Sequence, residues 1–222
     1  MSYKLLIEDF DRSNFNYIIE EGDGKSPSRV YIEGPYMCAE KVNKNKRRYI
    51  KEEMLREVER YKHEEIDKMK ALGELNHPST AEVDLERACH MVTELKPDGN
   101  EVIGRSKILS TPCGKIVESL IRDGVSVGMS TRSLGRLVEE AGGINRVEDM
   151  KLIAIDCVAD PSYAGAFVDG ILESKQWICD SNGNYCEVCE QFDNTISTLP
   201  SKNVNEYLVN AVGDFLKAIS KS

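Results

Sequence analysis

Three residues of this chain have the types that nucleophilic catalysis needs. Of its three histidines, His77 is the best lead, lying in the short polar segment GELNHP (Gly73 to Pro78) directly after a long amphipathic stretch. Imidazole is the side chain whose unperturbed pKa lies closest to neutrality, so a histidine on a turn beside a glycine and a proline is placed to act as a general base. A base needs a nucleophile, and Ser130 in VSVGMSTRSLG (Val125 to Gly135) stands between two glycines where an apolar strand turns polar. A serine there can present its hydroxyl at a sheet end with backbone amides nearby. The third member of such a set is a carboxylate that orients the imidazole, and Asp156 in LIAIDCVAD (Leu152 to Asp160) is an acid inside an apolar strand. A buried carboxylate without a partner is costly, so Asp156 must be paired or face a cleft.

Each residue also has an ordinary reading, the serine as a turn residue and the histidine as a satisfied loop side chain. The order His, Ser, Asp differs from the Ser, Asp, His order of α/β-hydrolases, and Gly128-Met129-Ser130-Thr131-Arg132 lacks the last glycine of their nucleophile elbow. Gly114-Lys115 is no phosphate loop, because the upstream glycine is missing. A metal hydrolase using His77, His90 and a carboxylate is weaker still, since no two histidines have helix-face ligand spacing.

The elements that must position these residues read as α+β. From Tyr3 to Cys38 short extended pieces flank the loop EGDGKSPS (Glu21 to Ser28). Ile50, Met54, Val58 and Tyr61 recur at helical spacing, with Gly73 as the stop and His63 on the charged face. Pro97-Asp98-Gly99-Asn100 predicts a hairpin between 89–96 and 101–109, which puts His90 on a strand. The capping box Ser79-Thr80-Ala81-Glu82 adds a short helix before it. Thr111-Pro112 opens a second helix that ends at Asp123-Gly124. Three strands follow, over 125–130, over 134–138 and over 151–159. Beyond Gly170 the chain turns polar until Tyr207 to Ile219, which has the pattern of an amphipathic docking helix.

Bulk composition bounds the class. With 222 residues, 41% hydrophobic and 30% charged, the profile is that of a globular protein built on one core of about 150 to 180 residues plus an appendage. A net charge of −9 and a single short basic run, Lys44 to Arg48, argue against nucleic acid as partner. No apolar run reaches membrane-span length, and the start lacks the apolar block of a secretory signal, which points to a cytoplasmic setting. Seven cysteines fit reduced thiols better than a disulfide framework, and Cys179, Cys186 and Cys189 lack the fourth ligand of a closed zinc site.

The strings NKNKRRY (Asn43 to Tyr49), GELNHP and MSTRSLG, in this order and spacing, closely resemble the prohead core proteases of T-even-like tailed bacteriophages. The resemblance spans roughly Tyr31 to Ser174. It implies a capsid-maturation serine protease related to the herpesvirus assemblins, with a β-barrel surrounded by helices and a C-terminal tail. On this resemblance 1–173 is the protease domain, and 174–222 is a tail removed by self-cleavage. By position His77 is the base, Ser130 the nucleophile and Asp156 the acid, with Asp160 and Glu74 as competitors for the last role. The resemblance further implies cleavage after glutamate in an aliphatic-x-Glu context, which nominates the Glu173-Ser174 bond for self-cleavage. A glutamate subsite wants a cation: Arg47 is the one on the family motif, while Arg132 could serve an oxyanion. The implied partners are the major capsid protein precursor and the internal scaffold or core proteins, met inside the prohead in the host cytoplasm. No membrane and no cofactor are implied, and homo-oligomerisation is left open. A catalytically silent core component that binds coat subunits is the alternative.

Overall fold

A computed structural model describes residues 2–9, 15–22, 28–78 and 80–158, and the backbone of two short strands further on. The chain divides into two units, 2–175 and 176–222 with Met1. In the larger unit the strands are β1 (Ser2–Asp9), β2 (Asn16–Glu20), β3 (Arg29–Cys38), β4 (Arg47–Tyr49), β5 (Leu72–Glu74), β6 (Ala88–Asp98), β7 (Glu101–Ile108), β8 (Gly128–Glu140) and β9 (Ile144–Val158). Its helices are α1 (Lys51–Tyr61) and α2 (Pro112–Arg122). In the smaller unit β10 (Gln176–Cys179) and β11 (Tyr185–Glu187) pair as an antiparallel hairpin.

The strands of the larger unit fall into two sheets, ordered β1-β8-β9-β4 and β2-β3-β7-β6-β5. The expected α+β class holds. The expected barrel surrounded by helices does not appear among the described residues, where two separate sheets and two α-helices stand in its place. One continuous apolar core includes residues of both sheets, with Leu6, Met129 and Ile155 of one and Ile32, Val92 and Val102 of the other all under 2% exposed. Residues that alternate inward on facing strands supply it, as sheet geometry requires.

The β6–β7 hairpin turns at Gly99-Asn100, as its turn chemistry predicts. α2 also forms as read, with the Thr111 hydroxyl accepting from Gly114 N–H and Pro112 in the first turn. Four expectations fail for identifiable reasons. The two strands expected over 125–138 are one strand, β8, because Gly128 to Gly135 is buried throughout and shows no alternation. Its partner β9 begins at Ile144, ahead of the apolar run, after a turn through Gly142 and Gly143 at φ +83° and +70°. No helix forms over 80–87, where Arg132 binds the backbone carbonyls that a helix would need. α1 ends before Gly73, running into a π-helical turn at Lys62–Ile66 and reversing at Met69, which has φ +57°.

β4 pairs with β9 only at 145–147, so at Leu152 the edge of β9 would be bare. α1 covers it. Glu57 Oε1 accepts from Leu152 N–H at 2.6 Å, and Arg60 donates to the Leu152 carbonyl at 3.0 Å while pairing with Glu57. An edge strand's open amide and carbonyl are thus closed by two side chains one helical turn apart.

His90 on β6 is fully buried. Its ring lies against Gly73 and the Ile155 carbonyl: a Cβ on Gly73 would fall 2.1 Å from His90 Nε2 and 2.0 Å from Ile155 O, so only glycine fits there. Burial pushes the His90 pKa down to about 4, against the pull of the Asp156 charge and the Ile155 carbonyl.

Two outcomes are expected. Glu57→Ala, which strips the buried Leu152 amide of its acceptor, should cost about 1–3 kcal/mol in urea unfolding with the fold retained. His90 is neutral when folded but takes a proton near pH 6.5 when unfolded, so stability should fall as pH drops from about 6.5 towards 4, by about 3 kcal/mol in all. His90→Phe should flatten that decline; an unchanged slope would locate the acid sensitivity elsewhere.

Candidate active site

In the β8–β9 ladder Ser130 and Asp156 are directly opposite partners. Cross-strand partners carry their side chains on the same face of the sheet, so a hydroxyl and a carboxylate project together, separated by about 5 Å at Cβ. An imidazole laid across them fits that gap.

The segment GELNHP lays it there. Glu74 N–H donates to Asp156 Oδ1 at 3.1 Å, and Leu75 forms an isolated parallel bridge with Cys157. Asn76 N–H then donates to the Cys157 carbonyl at 2.8 Å, and the left-handed Asn76, at φ +60°, turns the chain back over the strand. Pro78 holds His77 extended. The result is a chain of contacts: His77 Nδ1 to Asp156 Oδ2 at 3.0 Å, and His77 Nε2 to Ser130 Oγ at 2.8 Å. An ionised carboxylate only accepts, so Nδ1 carries the proton and Nε2 is left as the acceptor for the serine hydroxyl. Ser130 and Asp156 are fully buried, and the His77 side chain is 12% exposed.

Asp156 is ionised at a price that its surroundings offset. Burial alone raises its pKa, but the His77 hydrogen bond, the Arg132 charge and the Glu74 amide together hold it below the usual carboxylate value. Arg132 is also fully buried. Its Nε makes an ion-pair contact with Asp156 Oδ2 at 3.0 Å, and Nη2 lies 3.3 Å from Asp156 Oδ1 and 2.9 Å from Glu74 Oε1. Nη1 donates to the carbonyls of Thr80 and Glu82 at 2.7 and 3.1 Å. Arg87 closes the network with contacts to Glu74 Oε2 at 3.3 Å and to the Leu75 carbonyl at 2.8 Å. Two carboxylates, Asp156 and Glu74, and two guanidiniums, Arg132 and Arg87, balance in charge beside the His77 ring.

The three residues singled out by type and spacing therefore meet. Glu74, a competitor for the acid position, pairs with Arg132 and Arg87 rather than with His77. Asp160, the Glu173-Ser174 bond, the boundary at 173 and the 207–219 helix lie outside the described residues, as do the side chains of the tail cysteines. Neither arginine named for substrate contact stands open: Arg132 is enclosed as above, and Arg47, 4% exposed, has Nη1 3.0 Å from Glu8 Oε1. The roles of Arg132 and Glu74 as partners of the acid had one sequence signal, since Arg132 lies two residues after Ser130 and so on the same strand face. Glu8, whose carbonyl oxygen lies 3.1 Å from Ser130 Oγ, had none beyond following an apolar run. Among the described residues no group of three or more His, Cys, Asp and Glu is arranged to hold a metal ion.

Chains of known character share this arrangement of sequence and fold. The chain is 38% identical over 159 residues to the prohead core protein protease of Enterobacteria phage T4, an alignment covering 68% of this chain and 74% of that protein. The solved structure of the bacteriophage T4 capsid assembly protease superposes with a TM-score of 0.65 at 33% identity, covering 72% of this chain and 99% of that one. The pattern of one family matches residues 15–176, a span that contains His77, Ser130 and Asp156. The chain belongs to the prohead core protein serine protease family.

Proposed function

We propose that the chain is a serine endopeptidase of prohead maturation in which Ser130 is the nucleophile, His77 the general base and Asp156 the orienting acid. The observation that carries this reading is the continuous contact from Asp156 through the His77 ring to Ser130 Oγ, at 3.0 and 2.8 Å. His77 Nε2 takes the Ser130 proton as Oγ attacks a peptide carbonyl, and the imidazolium so formed faces the ionised Asp156. The same proton passes to the leaving amine, and water then hydrolyses the ester to free the serine. Arg132 acts at one remove in this scheme. It keeps Asp156 charged and, by binding the 80–82 carbonyls, ties down the chain that follows His77.

The substrates on this reading are the core proteins and the capsid protein precursor, cut after glutamate in an aliphatic-x-Glu context inside the prohead. The relatives' character as prohead and capsid assembly proteases supports this. Self-cleavage at Glu173-Ser174, releasing the tail, belongs to the same proposal.

Ser130→Ala removes the nucleophile and nothing else of the network. Co-expressed with core and capsid precursors, the wild type should yield shortened products and the variant should yield none, with assembly unaffected. Identical uncleaved products from both would favour a silent core component that only binds coat subunits.

A further inference from the structure

Glu74 is a second fully buried carboxylate beside Asp156, and the proton transfer does not use it. Its backbone N–H donates to Asp156 Oδ1 at 3.1 Å, three residues ahead of His77. Its Oε1 accepts from Arg132 Nη2 at 2.9 Å and from the Asp84 N–H at 3.1 Å, and its Oε2 lies 3.3 Å from Arg87 Nε. Arg87 in turn grips the neighbouring residue. Its Nη2 donates to the Leu75 carbonyl at 2.8 Å, and its own carbonyl accepts from the Leu75 N–H at 3.1 Å. The segment 84–87 is thereby fastened to the chain that carries His77.

From the imidazole outward the charges alternate: Asp156 negative, Arg132 positive, Glu74 negative, Arg87 positive. Arg132 touches both carboxylates, so Glu74 offsets part of the field that the guanidinium would otherwise set against an imidazolium. The other titratable groups that face Asp156 carry no competing charge. Tyr61 of α1 and His90 of β6 are held neutral by burial, and Cys89 of β6 by the Cys157 thiol and by burial. On β1 the Glu8 carboxylate is matched by Arg47 of β4. Arg87 is the outer end of the row, with its side chain 42% exposed.

We propose that Glu74 is a positioning residue for the proton transfer: its charge offsets Arg132 so that Asp156 can face the imidazolium, and its contacts with Arg132, Asp84 and Arg87 fix the chain that enters His77. The proposal rests on Ser130 and His77 being the nucleophile and the base. Glu74 acts on the ring through Arg132 and Asp156, and this charge effect separates it from a purely structural anchor. Glutamine in its place keeps the shape and an acceptor oxygen but leaves two guanidiniums against one carboxylate. A net positive charge then adjoins a ring that has to become positive as Ser130 Oγ gives up its proton. Removing the Arg87 charge does the reverse.

The test uses the full chain and follows the rate at which a fluorophosphonate esterifies Ser130 as a function of pH. The rate should fall on the acid side as the His77 ring takes a proton. In Glu74→Gln that limb should move to lower pH by about one unit, with a plateau rate about tenfold lower. Glu74→Asp, which keeps the charge and alters the geometry, should leave the limb where wild type has it. Arg87→Gln should move the limb the other way, by about half a unit, and added salt should shrink this shift because Arg87 meets solvent. Glu74→Gln removes one partner of a buried pair and can unfold the protein; in that case the half-exposed Arg87→Gln decides alone. Limbs that coincide with that of wild type, with only the plateau lowered, would overturn the proposal and leave Glu74 as a structural anchor. A wild type whose Ser130 never reacts would overturn the peptidase reading, and this proposal with it.

Discussion

A guanidinium with no access to water, Arg132, is the fixed point of this molecule. Its nitrogens contact Asp156, Glu74 and the carbonyls of Thr80 and Glu82, joining β8, β9, β5 and the chain after His77. Removing one partner from a buried pair leaves an uncompensated charge, at about 3–5 kcal/mol, so these four segments are held as a unit. The arrangement involves a compromise. The positive charge that keeps Asp156 ionised also competes with the imidazolium for it, and Glu74 offsets this by sharing the guanidinium.

Register does the remaining positioning. Ser130 opposes Asp156 in the β8–β9 ladder, and a slip of one residue would turn both side chains to the other face of the sheet. The slip is opposed by the alternating buried residues of β9 and by the α1 clasp at Leu152. His77 is carried by backbone contacts to Asp156 and Cys157, so the imidazole and the Asp156 carboxylate are indexed to the same stretch of one strand. Gly73 completes the seat, because any side chain there would collide with His90 and with β9.

The three residues that meet were legible because their chemistry is written in their types: a histidine on a turn, a serine among glycines, an acid in an apolar strand. The motifs around them added family identity. The residues that position them were not legible, since a guanidinium reads the same in a string whether it faces solvent, a substrate or a buried acid. Arg132 and Arg47 were both assigned outward roles and both point into carboxylates of the chain itself. The β6–β7 hairpin and α2, marked by turn and cap chemistry, were read correctly, while the capping-box helix expected before β6 does not form over 80–87. Elements whose burial on both faces erases alternation, such as β8, were broken in two. How the strands divide into sheets depends on contacts far apart in the sequence, and no local pattern encodes it.

The claim at the centre is that Asp156, held ionised by Arg132, orients His77 to activate Ser130. The rate at which a fluorophosphonate esterifies Ser130, mapped by mass spectrometry in wild type and in Asp156→Asn, tests it most directly. The account predicts modification at Ser130 and a rate lower by about 10³–10⁴-fold in the variant, with its melt still cooperative. Equal rates, or a label on another residue, would contradict it.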